Sequence, residues 1–362
     1  MKIRAVVSHH YRIPLPAVLS DATHGSITHH DLVVARILTD EGIEGLGYTY
    51  TVGVGGPALR LLIEQDLAPV LLGKDPREIE KLWQTMWWHT HWIGRGGAVS
   101  LAMSAVDIAL WDLKSKTVNE PLWRFLGGSN PRVKAYAGGI DLYFTGDELK
   151  DQTYAFLDQG LKAIKMKVGR ENLSDDLQRV AMVRQIVGEE FPLMVDANMG
   201  WTLSQAIRAS NALADYNLYW LEEPIIPDDF VGYGQIAREG KLPVAAGENL
   251  HTLQEFQHLM SHKGVAFPEP DVSNIGGITA WMKVARLAES NNLPVTSHGV
   301  HDIHVSLLAA ISNASYLELH GFSLGRFMVH PFQFEGGEGI APDRPGHGVE
   351  LDWSKLAQYE VS

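Results

Sequence analysis

From residue 133 to residue 319 the chain alternates short apolar segments with longer segments of helical periodicity, which leaves few folds open. Strand-like runs fall at 133–137, 163–168, 193–196, 219–222, 244–246, 266–268, 295–296 and 316–319. Helical patterns fill the gaps, as at 175–187, 203–216 and 278–291. Eight short strands with seven intervening helices predict α/β architecture: a parallel (β/α)7β barrel, a TIM barrel lacking its last helix. An open doubly wound sheet is the alternative, and the strand count favours the barrel.

The first 126 residues have a different rhythm. Residues 3–13, 32–39 and 45–51 alternate like strands, with Asp40, Glu41 and Gly42 as a turn before the third. Helical periodicity follows at 57–73, 76–87 and 99–117, so this part reads as an α+β unit. The expected division is an N-terminal unit over 1–126, a barrel over 127–325 and a Pro- and Gly-rich segment over 326–362 that returns to the N-terminal unit.

A formal charge of −13 argues against broad binding to nucleic acid or acidic lipid, yet allows a small anion held by local cations or a metal. With no cysteine, thiolate metal sites, disulfides and cysteine nucleophiles are excluded, which fits a cytoplasmic protein. Charges and histidines in the first 16 residues leave no room for a signal peptide, and no apolar run is long enough to span a membrane. The sequons at Asn172 and Asn313 are therefore expected to be accidental.

In a barrel the reactive groups stand at the C-terminal ends of the strands. Those ends carry Lys165 and Lys167, Asp196 and Asn198, Glu222, Glu248, Asp271, His298 and Glu318. Asp196 to Glu222 and Glu222 to Glu248 are each 26 residues, about one strand–helix unit, so the three carboxylates converge from neighbouring strands. Unshared, they would repel one another and be costly to desolvate. A hard divalent cation resolves this, and all-oxygen ligation suits Mg²⁺ or Mn²⁺ better than Zn²⁺.

Lys165 and Lys167 lie two apart on a strand and face the same side. Lys165 reads equally well as a salt-bridge partner of the acids. Lys167, nearer the strand end, is the candidate base, its pKa expected to be lowered by the metal and by Lys165. His298 and Asp271 end adjacent strands and can pair as a dyad, the carboxylate fixing the imidazole tautomer. The spacing of His298, His301 and His304 also suggests a second metal site, but the last two fall in the following helix and would point elsewhere. Glycine-rich stretches at 53–56 and 94–97 lack a nucleotide-binding context, and the aromatic run 87–92 reads as packing or an interface. His9, His10, His29 and His30 read as surface or strand residues.

Taken together, Lys165 and Lys167, Asp196 and Asn198, the Glu222–Glu223–Pro224 run, Glu248 and Asn249, Asp271, His298, Glu318 and the segment 102–116 resemble the mandelate racemase-type subgroup of the enolase superfamily. Ser115, where that family usually has Gly or Ala, is a small departure outside the catalytic set. The resemblance implies that the N-terminal α+β unit caps the barrel and that Asp196, Glu222 and Glu248 bind Mg²⁺. It gives Lys167 and the His298–Asp271 dyad acid/base roles. Lys165 and a protonated Glu318 would stabilise the enediolate formed when the proton beside a carboxylate is removed.

Within the family the likeness is nearest to acid-sugar dehydratases and sugar-acid cycloisomerases, which eliminate a β-oxygen. It is carried by segments 20–25, 47–51, 94–97, 247–252 and 274–279. It implies substrate contacts from Asn198 and from cap-loop residues Asp21, His24, Tyr48 and Tyr50. Racemisation or epimerisation of a 2-hydroxy acid by the same two bases is the second expectation, and a non-catalytic metal-binding barrel a remote third. The tryptophans near the cap lead us to expect a homo-oligomer.

Overall fold

The structure is a computed structural model and describes residues 1–361; Ser362, the last residue of the expected returning segment, lies outside them. β1 (Ile3–Asp21), β2 (Gly25–Thr39) and β3 (Glu44–Thr51) form an antiparallel meander. β1 and β2 run longer than their apolar alternation predicts. A register shift between Pro14 and Leu19 absorbs the proline-containing stretch, so pairing resumes as far as Asp21 and Gly25. The resulting hairpin tip reaches the barrel.

The helical stretch expected over 57–73 is three pieces: α1 (Gly56–Leu61), a π-helical turn (Leu62–Leu67) and α2 (Ala68–Leu71). Pro69 has no N–H to continue the ladder, and the Ala68 N–H reaches back to the carbonyl of Ile63. α3 (Ile79–Thr90) and the long α4 (Ala98–Thr117) complete the unit. Val33, Ala35 and Ile37 on one face of the sheet pack with Ala102, Val106, Ala109 and Leu113 of α4 in one buried cluster. Asp112 of α4 is fully buried and accepts from the backbone N–H groups of Leu46 and His347 at 2.9 and 3.1 Å and from Lys116 Nζ at 2.5 Å. One carboxylate thus joins the helix, the meander and the C-terminal tail.

After α5 (Leu122–Phe125) the alternation begins: β4 (Arg132–Gly138), α6 (Gly146–Asp158), β5 (Ile164–Lys167), α7 (Leu173–Val187), β6 (Leu193–Asp196), α8 (Leu203–Leu213), β7 (Leu221–Glu222) and α9 (Phe230–Glu239). It continues through β8 (Val244–Ala246), α10 (Leu253–Ser261), β9 (Phe267–Pro268), α11 (Ile278–Ser290), α12 (His301–Leu308) and β10 (Leu317–Leu319). β4 to β9 are parallel neighbours in chain order, and β10 pairs back onto β4. The strand expected at 295–296 is reduced to a single bridge from Val295 to Ala314. It still closes the ring, because Thr296 N–H bonds to Pro268 O at 3.1 Å and Ser297 N–H to Tyr316 O at 3.2 Å. The closed barrel, not the open sheet, is the fold.

Inside the barrel Tyr136 and Tyr316 pack edge to face against Trp220, and Phe267 lies tilted against it, forming an aromatic floor. Beyond β10, β11 (Gln333–Glu335) and β12 (Glu338–Ile340) add an antiparallel hairpin to β4. The tail then bridges Gly346 to Pro121, and Val361 N–H reaches His10 O at 2.8 Å. His10 and His30 are buried strand residues. Among the described residues no helix is long and apolar enough to cross a membrane.

Candidate active site

The strand ends form the site. Asp196 closes β6, Glu222 closes β7 and Glu248 follows β8 by two residues. All three are buried, and one ligand atom from each lies within 4.8 Å of the others. The parallel register, with Lys167 opposite Asp196 and Asp196 opposite Glu222, brings them level. The backbone turns sharply just beyond: Asn198, Glu223 and Val300 take left-handed conformations with φ of 38°, 36° and 38°. Such strain at non-glycine residues persists only where the surroundings over-determine it.

Lys165 and Lys167 point into the same space and are 1 % and 5 % exposed. Lys165 Nζ pairs with Glu222, lies 2.9 Å from Glu318 and 3.6 Å from Asp196. Lys167 Nζ donates to Asp196 at 2.5 Å. Behind the strand, Asp141 accepts the Lys167 N–H at 3.0 Å and Arg179 donates to the Lys167 carbonyl at 2.5 Å and to Asp141 at 3.0 Å. These two buried residues hold the strand end that carries the lysine, and nothing in their spacing advertised the role.

On the opposite wall His298 Nδ1 lies 3.1 Å from Asp271 and Nε2 lies 3.1 Å from Glu248. The expected dyad is present. Ser273 donates to the other oxygen of Asp271 through both its N–H and its hydroxyl at 2.7 Å. Gly299 has no Cβ where one would meet the Tyr50 hydroxyl at 2.7 Å, and Gly138 leaves the space that Glu318 occupies, 2.4 Å from where its Cβ would be. The helical histidines point away as expected. His304 is wholly buried, taking the Val272 N–H at 3.0 Å and meeting the Gly299 carbonyl at 2.8 Å, while His301 packs on Phe332.

The expected protonation of Glu318 is corrected, and the protein's own groups act on Lys167 in both directions. Burial alone would raise Glu318, but Lys165, the neighbouring histidines and the Gly299 N–H, at 2.8 Å, outweigh it and hold this carboxyl well below the usual range. Within the protein Glu318 is therefore a carboxylate, not a neutral acid. Lys167 was expected to be lowered by a metal and by Lys165; among the protein's own groups burial and Lys165 do push it down, but the Asp196 carboxylate more than offsets them and holds it above its ordinary value. His298 is likewise raised to about 10, with Glu248 and Asp271 overcoming burial.

The remaining carboxyls show what is missing from this charge balance. Burial raises Glu222 to about 8 and also raises Glu248, with adjacent acids adding to the effect. Glu223 and Glu269, both fully buried, are pushed well above the ordinary range by burial. Glu223 Oε1, both oxygens of Glu269 and Asn198 Oδ1 are buried without a partner. Two lysines and one histidine do not neutralise this many acids. The donor set fits a hard divalent cation at Asp196, Glu222 and Glu248.

The cap-loop residues divide. Asp21 and His24 sit on the hairpin tip, joined at 2.9 Å, and Thr23 donates to the Asn198 carbonyl, so this tip reaches the barrel mouth. Lys167 acts electrostatically on both, and Glu248 acts on His24. Asn198 itself is buried, with its N–H on Asp196 at 2.8 Å. Tyr48 makes no hydrogen bond to Asp196, Glu222 or Glu248. It is 2 % exposed, with its hydroxyl buried beside Asp302 at the junction of cap and barrel. Tyr50 is close to the chemistry, but its hydroxyl donates to Asp271 at 3.2 Å and lies 3.5 Å from His298 Nδ1, which makes it a support of the dyad. Replacing Tyr50 by Phe is expected to lower kcat about tenfold, the worth of one hydrogen bond to a charged group, with little change in melting temperature. Steady-state kinetics beside a thermal melt check this; unchanged kcat would remove Tyr50 from the site.

Sequence reasoning passed over His320, two residues beyond Glu318, and Glu269, two before Asp271. The period-two alternation that pointed out the lysine pair applies equally to these two positions.

A capped barrel with three carboxylates between a lysine and a histidine–aspartate dyad defines a class of enzyme, and the chain belongs to the mandelate racemase / muconate lactonizing enzyme family of the enolase superfamily. Residues 3–127 match the N-terminal domain of mandelate racemase / muconate lactonizing enzyme, and residues 148–355 match the enolase C-terminal domain-like family. It is 52 % identical over 351 residues, 97 % of each chain, to 3,6-anhydro-alpha-L-galactonate cycloisomerase of Streptomyces coelicolor. A crystal structure of a racemase from Streptomyces coelicolor with bound magnesium superposes with TM-score 0.97 at 51 % identity, covering 99 % of this chain and all of that one. L-talarate dehydratase from Polaromonas, complexed with Mg and L-glucarate, superposes with TM-score 0.94 at 32 % identity, covering 100 % and 98 %.

Proposed function

We propose that this protein is a Mg²⁺-dependent enzyme that removes the proton α to the carboxylate of a sugar acid and expels the β-oxygen. The substrate class is a 3,6-anhydro-L-galactonate-type acid whose cyclic ether opens on elimination, or a polyhydroxy acid yielding a 2-keto-3-deoxy product. The observation that carries this reading is the buried cluster of Asp196, Glu222 and Glu248 placed between Lys167 and His298. Its 52 % identity to a cycloisomerase and its structural likeness to a dehydratase support the choice of reaction.

In this reading Asp196, Glu222 and Glu248 hold Mg²⁺, with Mn²⁺ as a substitute. Bound there, the ion supplies fixed positive charge against the second negative charge that develops on the substrate carboxylate. Lys165 adds a further cation from below, anchored by Glu222 and Glu318. Lys167 and His298 flank the α-carbon, one removing its proton and the other delivering a proton to the departing oxygen. The imidazolium that Asp271 and Tyr50 support suits His298 to the second task. Glu318 faces the substrate carboxylate, and a second anion beside it raises its affinity for a proton, so it becomes a donor only with substrate present. Asn198, Asp21 and His24 contact substrate hydroxyls.

The same reading assigns residues 1–126 to the cap, 127–325 to the barrel and 326–362 to a segment that ties the two. It places a homo-oligomer in the cytoplasm, acting on a small molecule without nucleic-acid or membrane partners. Trp88 and Trp92, 64 % and 89 % exposed beside the cap helices, support self-association.

Proton NMR in D₂O with Mg²⁺ and an EDTA control, over a panel of acid sugars that includes 3,6-anhydro-L-galactonate, tests the function. A 2-keto product lost on chelation is the expected result. Deuterium at the α-carbon with inversion and no keto product would instead establish the epimerase reading, which the likeness to a structure described as a racemase also favours. No exchange and no product across the panel would overturn both.

A further inference from the structure

His320 stands just beyond β10, two residues after Glu318 and therefore on the same inward side. Its Nδ1 accepts the backbone N–H of Phe322 at 3.2 Å. A nitrogen that accepts carries no proton, so the ring's single proton sits on Nε2. No group among the described residues takes up that Nε2–H. The ring is clamped edge to face against Phe322 at 4.6 Å and against His298 at 5.1 Å, with Tyr50 at 6.3 Å. One ligand atom of His320 lies within 4.8 Å of one from His298 and one from Glu318.

That triplet has the composition of a metal site, but its lone pairs are spoken for. Both nitrogens of His298 face carboxylates, Asp271 and Glu248. Both oxygens of Glu318 are engaged, by Lys165 and the Gly299 N–H. What remains is one preorganised, neutral N–H donor packed beside His298. Burial and the neighbouring cations also push the His320 pKa down to about 3, so the ring stays neutral across the working range.

We propose that His320 is a catalytic hydrogen-bond donor to the β-oxygen of the substrate, holding that oxygen against His298 while its bond to carbon breaks. The inference rests on the elimination reading above. In the step, Lys167 as the neutral amine takes the α-proton, and the C–H electron pair, held first as the enediolate of the substrate carboxylate, becomes the Cα–Cβ double bond. The Cβ–O pair leaves on oxygen, which receives its proton from the His298 imidazolium. His320 transfers nothing; its N–H binds the oxygen more tightly as charge grows there. A ring-ether oxygen accepts this bond as well as a hydroxyl does, so the residue serves ring opening and dehydration alike.

The test uses Mg²⁺-loaded wild type, His320→Phe and His320→Gln with 3,6-anhydro-L-galactonate in D₂O. Product formation and α-deuterium in recovered substrate are read together by NMR. Phe keeps the ring's bulk without the donor; Gln keeps a donor, so one folded variant is available even if the other fails a circular-dichroism check. Elimination by His320→Phe should fall on the order of 10²-fold, as for loss of one preorganised donor. The ratio of α-deuterium to product should rise, because the first proton transfer survives and reverses, and Gln should recover part of the rate. Parallel loss of exchange and elimination in both variants, or unchanged elimination in His320→Phe, overturns the proposal. Absence of exchange and product in wild type is a different failure: it removes the elimination reading and this inference with it.

Discussion

Lys167→Ala protein is expected to lose turnover by at least about 10³-fold, within the range by which positioned acid–base groups accelerate proton transfer, while keeping its fold when Mg²⁺ is present. The side chain is 5 % exposed and its ammonium rests on Asp196, so its removal deletes the proposed base and also unpairs a buried carboxylate. Breaking a buried pair by removing one partner typically costs about 3–5 kcal/mol. Here the loss should show only without metal, since a divalent cation at Asp196 replaces the missing charge. The variant's melting temperature should therefore depend on Mg²⁺ more steeply than that of wild type. NMR turnover assays and thermal melts with and without Mg²⁺ read both effects. Turnover above a tenth of wild type would exclude Lys167 as an essential base. Collapse of the fold even with Mg²⁺ would favour a structural lysine in a non-catalytic barrel.

Chelation is expected to have an effect as large on activity and a distinct one on stability. Glu222 and Glu248 lie deep enough that burial and adjacent acids raise both, which means that the protein alone does not hold the full negative charge. A cation that binds only the folded state stabilises it by about 2.7 kcal/mol at a hundredfold excess over its dissociation constant. EDTA should abolish turnover and lower the melting temperature by several degrees, and Mg²⁺ should restore both. Glu248→Gln should weaken Mg²⁺ binding in calorimetry and remove most of the Mg²⁺-dependent stabilisation. If EDTA left wild-type activity intact, the carboxylate cluster would need another explanation. Equal Mg²⁺ affinity in Glu248→Gln would take Glu248 out of the ligand set.

Much of this site is legible in the amino-acid sequence. A residue at the end of a barrel strand faces the mouth because successive strands lie side by side in register, and a near-constant 26-residue interval places three acids on neighbouring strand ends. The same period-two logic set Lys165 and Lys167 on one side, where both contact the acids. His298 and Asp271 met as a dyad for the same reason. These positions depend on local periodicity, which short stretches of chain carry by themselves.

Other features depended on which surfaces meet. Tyr48 and Tyr50 are two apart on β3 and looked equivalent, yet one lies buried beside Asp302 and the other supports Asp271. Only the docking of cap on barrel distinguishes them. Protonation was equally beyond reach: Glu318 is ionised because Lys165 and a loop N–H happen to touch it, while Glu222 is raised because it is deeper among acids. Pair distances of a few ångströms decide such signs, since electrostatic energy in a poorly screened interior changes steeply over that range. His320 gained its meaning only from the Phe322 N–H, which occupies Nδ1 and leaves the ring proton on Nε2. By itself the sequence determined the barrel, the order of its strands and the residues at their mouths, because those follow from hydrophobic period and spacing. The tertiary structure alone decided which of those residues are charged, which are spoken for and which remain free to act, because each depends on partners brought from distant parts of the chain.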